Sequence, residues 1–211
     1  MSAMNQVLLY GPAIDLDEHT SVYGGGTGGY TRNMRVYLEH GDLGDFEIRP
    51  CFHTVRGQLK LDYFFVRFIV DTLRFLRCVL RARPTIVHVL AQYRFATPRE
   101  FMIVAIARLL RIPVLYEIKA GALINWYTAA GRVPRLLLRK IVEWATVVLV
   151  EGVPYIEFLR DNFGVESHYF PNFVPTAELP DTVPERLQSP TIGVLFVGYA
   201  YRGKGVFERV E

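Results

Sequence analysis

The 211-residue chain is poor in cysteine: Cys51 and Cys78 are its only two. They lie far apart and share neither metal nor redox spacing, so they read as buried or idle thiols in a reducing compartment. A basic segment ahead of the first apolar run is also missing. "MSAMNQVLLYGPAI" therefore argues against a secretory leader. No apolar run approaches the ~18 residues of a membrane span; "FMIVAIARLL" comes nearest, and Arg108 breaks it. Charge imbalance is small, at +3, and gives no reason to expect nucleic acid. No His/Cys cluster has metal spacing, and nothing resembles a serine or cysteine triad. Hydrophobic residues are not lacking. At 51% they exclude a disordered chain and suffice for one sizeable core.

Short apolar runs alternate with helix-like stretches. Strands are expected over 6–11, 46–52, 85–90, 113–119, 146–150 and 167–171. Helices are expected over 28–40, 60–82, 97–111, 134–145 and 154–163, the last closed by Gly164. Pro50 pushes its strand toward a sheet edge or an early end. Thr97-Pro98-Arg99-Glu100 has the capping-box pattern, with Pro98 at the first helical position. Such alternation predicts an α/β fold, a doubly wound parallel sheet with helices on both faces. Ligands of such sheets gather at the carboxyl ends of the strands. Residues 1–174 form this domain. Residues 175–190 hold four prolines and no periodicity, and read as an interdomain linker. "TIGVLFVG" then starts a fresh strand. The expectation for 191–211 is the beginning of a second domain that these residues do not complete.

Glycine is concentrated in "YGGGTGGYT". Gly24, Gly26 and Gly29 match the dinucleotide fingerprint G-x-G-x-x-G, but the context fails. About 13 residues separate the run from its strand, and no acid follows the next strand, where "PCFHT" stands. No Gly-Lys-Ser/Thr is present either. What remains is a glycine loop opening a helix at Gly28 and Gly29, a geometry that aims N–H groups at an anion or a sugar hydroxyl. A ligand-free surface loop is the plain alternative.

Individual polar residues carry two readings each. His88, inside an apolar strand, reads as a satisfied core histidine. His53 and Gln92 stand just at or past strand ends and are cleft candidates, as is Glu151. Asn172, after Pro171, joins them, with a role in fixing the chain crossing as its alternative. Glu117 and Lys119 close a strand; one of them is expected to face the cleft, and a mutual ion pair is the alternative. In the segment 60–82, Phe64, Phe65, Phe68, Ile69, Leu73, Leu76 and Leu80 are expected to form the apolar face. Arg67, Arg74, Arg77 and Arg81 fall on another. A basic stripe opposite an aromatic one fits a helix lying on an anionic membrane. An ordinary sheet-covering helix with a solvated basic face is the alternative. No aromatic platform interleaves with the basic residues, so nucleic acid is a poorer partner.

The order of segments resembles glycosyltransferase family 4, a retaining group with the GT-B fold. The resemblance rests on "PTIVHVL", "IPVLYEIKAG", "ATVVLVEG", "YIEFLRDNFGV", "YFPNFVP" and "FVGYAYRGKGV", and spans nearly the whole chain. It implies two Rossmann-like domains across a cleft, of which this is the N-terminal, acceptor-side one. Gly28 and Gly29 would then approach the donor phosphate or sugar. Lys204 would contact and stabilise the leaving diphosphate, with Glu117 and Lys119 as further catalytic candidates. The usual arginine after "FVG" is Tyr199 here, so Arg202 is the substitute phosphate ligand. The family's histidine after the fourth strand and its C-terminal acidic motif have no counterpart. The resemblance implies a nucleotide-diphosphate sugar as donor substrate with no resident cofactor, and a glycan or lipid-linked acceptor. It also implies a cytoplasmic location, with peripheral attachment at the inner membrane face as a variant. A non-catalytic binding subunit that completes its site with a separate chain is the second reading. A nucleotide-dependent oxidoreductase is disfavoured by the failed fingerprint.

Overall fold

A computed structural model describes residues 5–12, 44–54, 63–119 and 121–172. Strand β1 (Asn5–Pro12) is followed by β2 (Phe46–His53), α1 (Phe64–Ala82), β3 (Ile86–Ala91) and a 3-10 turn at Arg94–Ala96. Then come α2 (Thr97–Leu109), β4 (Val114–Ile118), α3 (Leu123–Ala129) and α4 (Arg132–Trp144). β5 (Val147–Val150), α5 (Val153–Phe163) and β6 (His168–Tyr169) complete the described elements. All six strands are parallel, in the order β2-β1-β3-β4-β5-β6. The fold is α/β and Rossmann-like.

The parallel register decides which residues make the core. Leu8, Tyr10, Val87, Val89, Tyr116 and Val148 stand side by side on one face. They are buried against Phe75 and Val79 of α1, Ile103 and Ala107 of α2, and Leu138 and Ile141 of α4. Each such side chain contributes roughly 1.5–3 kcal/mol of burial. Leu9, Leu90, His88 and Glu117 take the alternate positions. From β1 the chain steps outward to β2, then crosses back to place β3 on β1's other side. The strand order therefore reverses between β1 and β3, and the carboxyl ends there flank the crevice where ligands of open α/β sheets bind.

Several local expectations change. Pro50 does lie on an edge strand of the described sheet, but β2 continues beyond it to His53, because an edge position asks nothing of the missing N–H. Helix α2 begins without the capping box: no side chain caps it, and Glu100 is drawn inward instead. Helix α3 was not foreseen; its seven residues are too few for a periodic signal. Gly164 does close α5, in the left-handed conformation at φ 66.

The largest correction concerns α1. Asp71, Phe75 and Val79, spaced by four, form its buried side. The aromatic stripe, which a sheet-covering helix would pack inward, points out: Phe65 is 67% exposed, Leu73 60% and Leu80 59%. The helix has two apolar stripes. Periodicity reports both without saying which one meets the sheet. The segments 175–190 and 191–211 lie outside the described residues.

Candidate functional site

A cavity of about 340 Å³ opens at the carboxyl edge of the sheet. Three pieces of chain wall it. His53 and Thr54 end β2, the first turns of α1 contribute Phe64, Arg67 and Phe68, and the segment from Gln92 to Arg99 follows β3. These pieces flank the β1/β3 reversal, where the topology favours a ligand.

Asp71 ties the walls together. It is fully buried. One carboxylate oxygen accepts the Thr54 N–H at 2.7 Å, and the other accepts Arg99 Nη1 at 3.0 Å. A buried carboxylate is tolerated only when its charge is compensated and its oxygens are hydrogen-bonded. Here both conditions are met, and α1, α2 and the end of β2 are held in one geometry. Glu100 performs a similar task on the opposite wall. Its oxygens accept the Gln92 N–H at 2.5 Å and the Tyr116 hydroxyl at 2.6 Å. Burial pushes its carboxyl up to about 7, against the pull of those two bonds and of Arg99. The loop that follows β3 is thus pinned at its start, and it passes through Arg94 at φ 68, an uncommon conformation for a residue with a side chain.

His53 is the polar centre of the cavity. It is 5% exposed. Its Nδ1 lies 3.1 Å from the Thr54 carbonyl, which can only accept, so Nδ1 carries the proton. Nε2 is then an acceptor, and it is buried beside the Gln92 side chain. Burial, and next the charge of Arg99, lower the His53 pKa to about 3; bonding to the Thr54 carbonyl and to the Gln92 side chain pulls weakly the other way. At neutral pH the ring is uncharged. Around it stand Arg67, Arg94 and Arg99, with Asp71 bonded to Arg99 behind the wall. Phe64 and Phe95 meet edge to face at 6.4 Å between ring centres, and Phe95 is 82% exposed at the rim. The cavity offers cations, a hydroxyl acceptor and an aromatic wall.

By sequence, no protein family and no curated protein matches the chain. Among solved structures, the chain is similar to Acinetobacter baumannii MurG at a TM-score of 0.35 and 17% identity. The similarity covers 69% of this chain and 41% of that one. The chain thus spans less than half of the MurG chain it resembles, and a likeness of this size speaks to neither substrate nor reaction. The likeness to glycosyltransferase family 4 remains a resemblance in segment order and motifs.

Of the residues singled out from sequence, His53 and Gln92 meet in the cavity. Arg67 does so as well; it leaves the expected membrane-facing stripe because its place on α1 borders the buried side. Arg74 is exposed and donates to the Phe52 carbonyl at 3.1 Å, and Arg77 and Arg81 are exposed. Glu117 and Lys119 do not line the cavity. Two residues apart on one strand, they share a face and pair with each other at 3.0 Å, while Glu117 also meets His88 Nε2 at 2.8 Å. Lys119 Nζ reaches the Phe170 carbonyl at 3.2 Å. The expectation that one of the two faces the cleft gives way to a buried ion-paired chain, and His88 is a satisfied core histidine. Glu151 accepts from Asn172 Nδ2 at 3.4 Å near the ends of β5 and β6, away from the cavity-lining residues. Gly28, Gly29, Arg202 and Lys204 lie outside the described residues. Among the described residues no group of His, Cys, Asp and Glu has metal-holding geometry.

Sequence reasoning missed Asp71, Arg99 and Thr54. Asp71 had a signal: it is the one acid in an otherwise basic helix, and it precedes Phe75 and Val79 at four-residue steps, on a face that packs. Arg99 and Thr54 had none, since their roles depend on Asp71 from a distant segment.

Proposed function

We propose that this chain is the acceptor-side domain of a glycosyltransferase that uses a nucleotide-diphosphate sugar and transfers the sugar, with retention, to a glycan or lipid-linked acceptor. The observation that supports it is the cavity at the strand reversal, lined by a neutral His53 and by Gln92. In this reading Nε2 accepts a hydrogen bond from the acceptor hydroxyl and orients its oxygen. With so low a pKa, His53 positions the hydroxyl and does not remove its proton. The bond from the sugar's anomeric carbon to the diphosphate breaks, the bond to the acceptor oxygen forms, and the hydroxyl proton leaves to the departing phosphate oxygen. Lys204, Arg202 and the amides of Gly28 and Gly29 would stabilise that diphosphate, as the family resemblance implies.

The membrane-facing part of the proposal rests on α1. Its exposed stripe of Phe65, Ile69, Leu73 and Leu80 runs beside the exposed Arg74, Arg77 and Arg81. Apolar residues flanked by arginines suit the surface of an anionic bilayer. No helix among the described residues is long and apolar enough to cross one.

The test is sugar transfer by the full-length gene product, from a panel of UDP- and GDP-sugars to extracted lipids and glycans. His53→Leu is expected to reduce transfer by at least about tenfold, equivalent to ~1.4 kcal/mol, with folding retained. Acceptor binding without transfer from any donor sugar would favour the non-catalytic binding subunit.

A further inference from the structure

We infer that Cys51 and Cys78 form a reversible redox clasp: a low-molecular-weight disulfide such as oxidised glutathione converts the two thiols into one disulfide that ties β2 to α1. The clasp does not rest on the transferase reading.

The two cysteines are far apart in sequence, and the fold brings them together. Helix α1 lies over the end of β2 in a register that two hydrogen bonds define. Asp71 accepts the Thr54 N–H at 2.7 Å, and Arg74, three residues on, donates to the Phe52 carbonyl at 3.1 Å. Steps forward along the helix are therefore steps back along the strand. One further helical turn reaches Cys78, and one residue back from Phe52 is Cys51. Their side chains meet there and share a hydrogen bond. Cys51 belongs to the core, 2% exposed, and Cys78 packs half-buried against that core. Both are free thiols, and the chain has no third cysteine to compete for either.

Their surroundings give the two sulfurs different tasks. Burial, and next the bond to Cys78, push the Cys51 thiol well above the ordinary thiol range, against the pull of the Arg74 guanidinium. Cys51 therefore keeps its proton and donates it, and Cys78 Sγ accepts. Cys78 is also the sulfur that solvent reaches. Its thiolate attacks one sulfur of oxidised glutathione and expels a glutathione thiolate, leaving a mixed disulfide. Cys51 then loses its proton to water, and its sulfur attacks Cys78 Sγ and expels the second glutathione. Two protein thiols are oxidised and one glutathione disulfide is reduced to two thiols, so the exchange balances. A reducing thiol pool runs it backwards.

The consequence is mechanical. Cys51 stands two residues before His53, and α1 supplies Phe64, Arg67 and Phe68 to the same cavity. A covalent bond between the strand and the helix fixes one cavity wall to another. It also restricts the unfolded chain, which stabilises the folded one.

The 211-residue chain is equilibrated in glutathione buffers of rising oxidised fraction, quenched in acid, unfolded, alkylated and weighed by mass spectrometry. The expected product is a monomer lighter by two hydrogens, unalkylated, with the Cys51 and Cys78 peptides linked. Dithiothreitol should return two alkylatable thiols. The melting temperature of the oxidised chain should rise by about 5 °C. Cys51→Ala should stop at a glutathione adduct on Cys78, because the second thiol is gone, and Cys78→Ala should leave Cys51 unmodified. Two free thiols in fully oxidised buffer, a lasting adduct on the wild-type chain, or disulfide-linked dimers alone would overturn the inference. So would a linked pair whose melting temperature is unchanged or lower, since it would clasp nothing.

Discussion

Among the described residues, two histidine-containing clusters of buried charge are built to opposite ends. In the first, His88, Glu117, Lys119 and the Phe170 carbonyl form a closed series of contacts between 2.8 and 3.2 Å. In the second, Asp71, Arg99, Thr54 and His53 are joined by bonds of similar length, but the series ends at His53, which lines a cavity. Both contain a histidine, an acid and a cation. A cluster closed off from any cavity stabilises or specifies the fold; one whose members line a cavity has something to offer a ligand. Residue type alone does not separate them, and the cavity does.

The largest effect should come from opening the closed cluster. Glu117→Ala leaves Lys119 and His88 without their shared carboxylate in the core, and removing one partner of a buried pair costs about 3–5 kcal/mol. For a chain of this size the melting temperature should drop by about 10 °C, read by calorimetry. An unchanged melting temperature would show that the closed cluster does not hold the fold.

The open cluster should respond differently to the same kind of change. Asp71→Asn keeps an oxygen for the Thr54 N–H but removes the charge opposite Arg99, at a cost of about 1–3 kcal/mol. The melting temperature should therefore fall by less than in Glu117→Ala. Calorimetry checks it, and a drop as large as that of Glu117→Ala would remove the distinction between the clusters.

Proton linkage sharpens the comparison further. His53 is lowered from 6.5 to about 3, so between those values the unfolded chain holds a proton that the folded chain lacks, and this group's contribution to stability rises with pH. Glu100 is raised from 4.5 to about 7, so there the folded chain holds the extra proton and its contribution falls as pH rises. The two slopes oppose each other where the windows overlap, each limited to about 1.4 kcal/mol per pH unit. Urea denaturation across pH should show the stability gap between wild type and His53→Gln widening with pH. The gap between wild type and Glu100→Gln should narrow.

The smallest effect belongs to the outer stripe of α1. Leu73→Ser, at a position 60% exposed, should change stability by no more than about 0.5 kcal/mol. It should nonetheless reduce co-sedimentation with anionic vesicles at low salt, as should replacing Arg74, Arg77 and Arg81 with glutamine. A wild-type chain that stays in the supernatant would end the membrane proposal.

The alternation of apolar runs and helical stretches determined the parallel α/β sheet, because strands buried on a parallel sheet must be short and apolar and their crossovers need helices. The sequence also placed His53 and Gln92 at strand ends, which the strand periodicity locates to within a residue or two. It could not rank Glu117 and Lys119 against His53. All three stand near carboxyl ends, and only the tertiary structure decided that Glu117 and Lys119 pair with each other while His53 lines the cavity. Nor could it choose between the two apolar stripes of α1. A helix's own periodicity records which residues are apolar; which stripe is buried depends on the neighbour that meets it, and here Asp71, bonded to Thr54 and Arg99, turned Phe75 and Val79 inward and left Phe65, Leu73 and Leu80 outside.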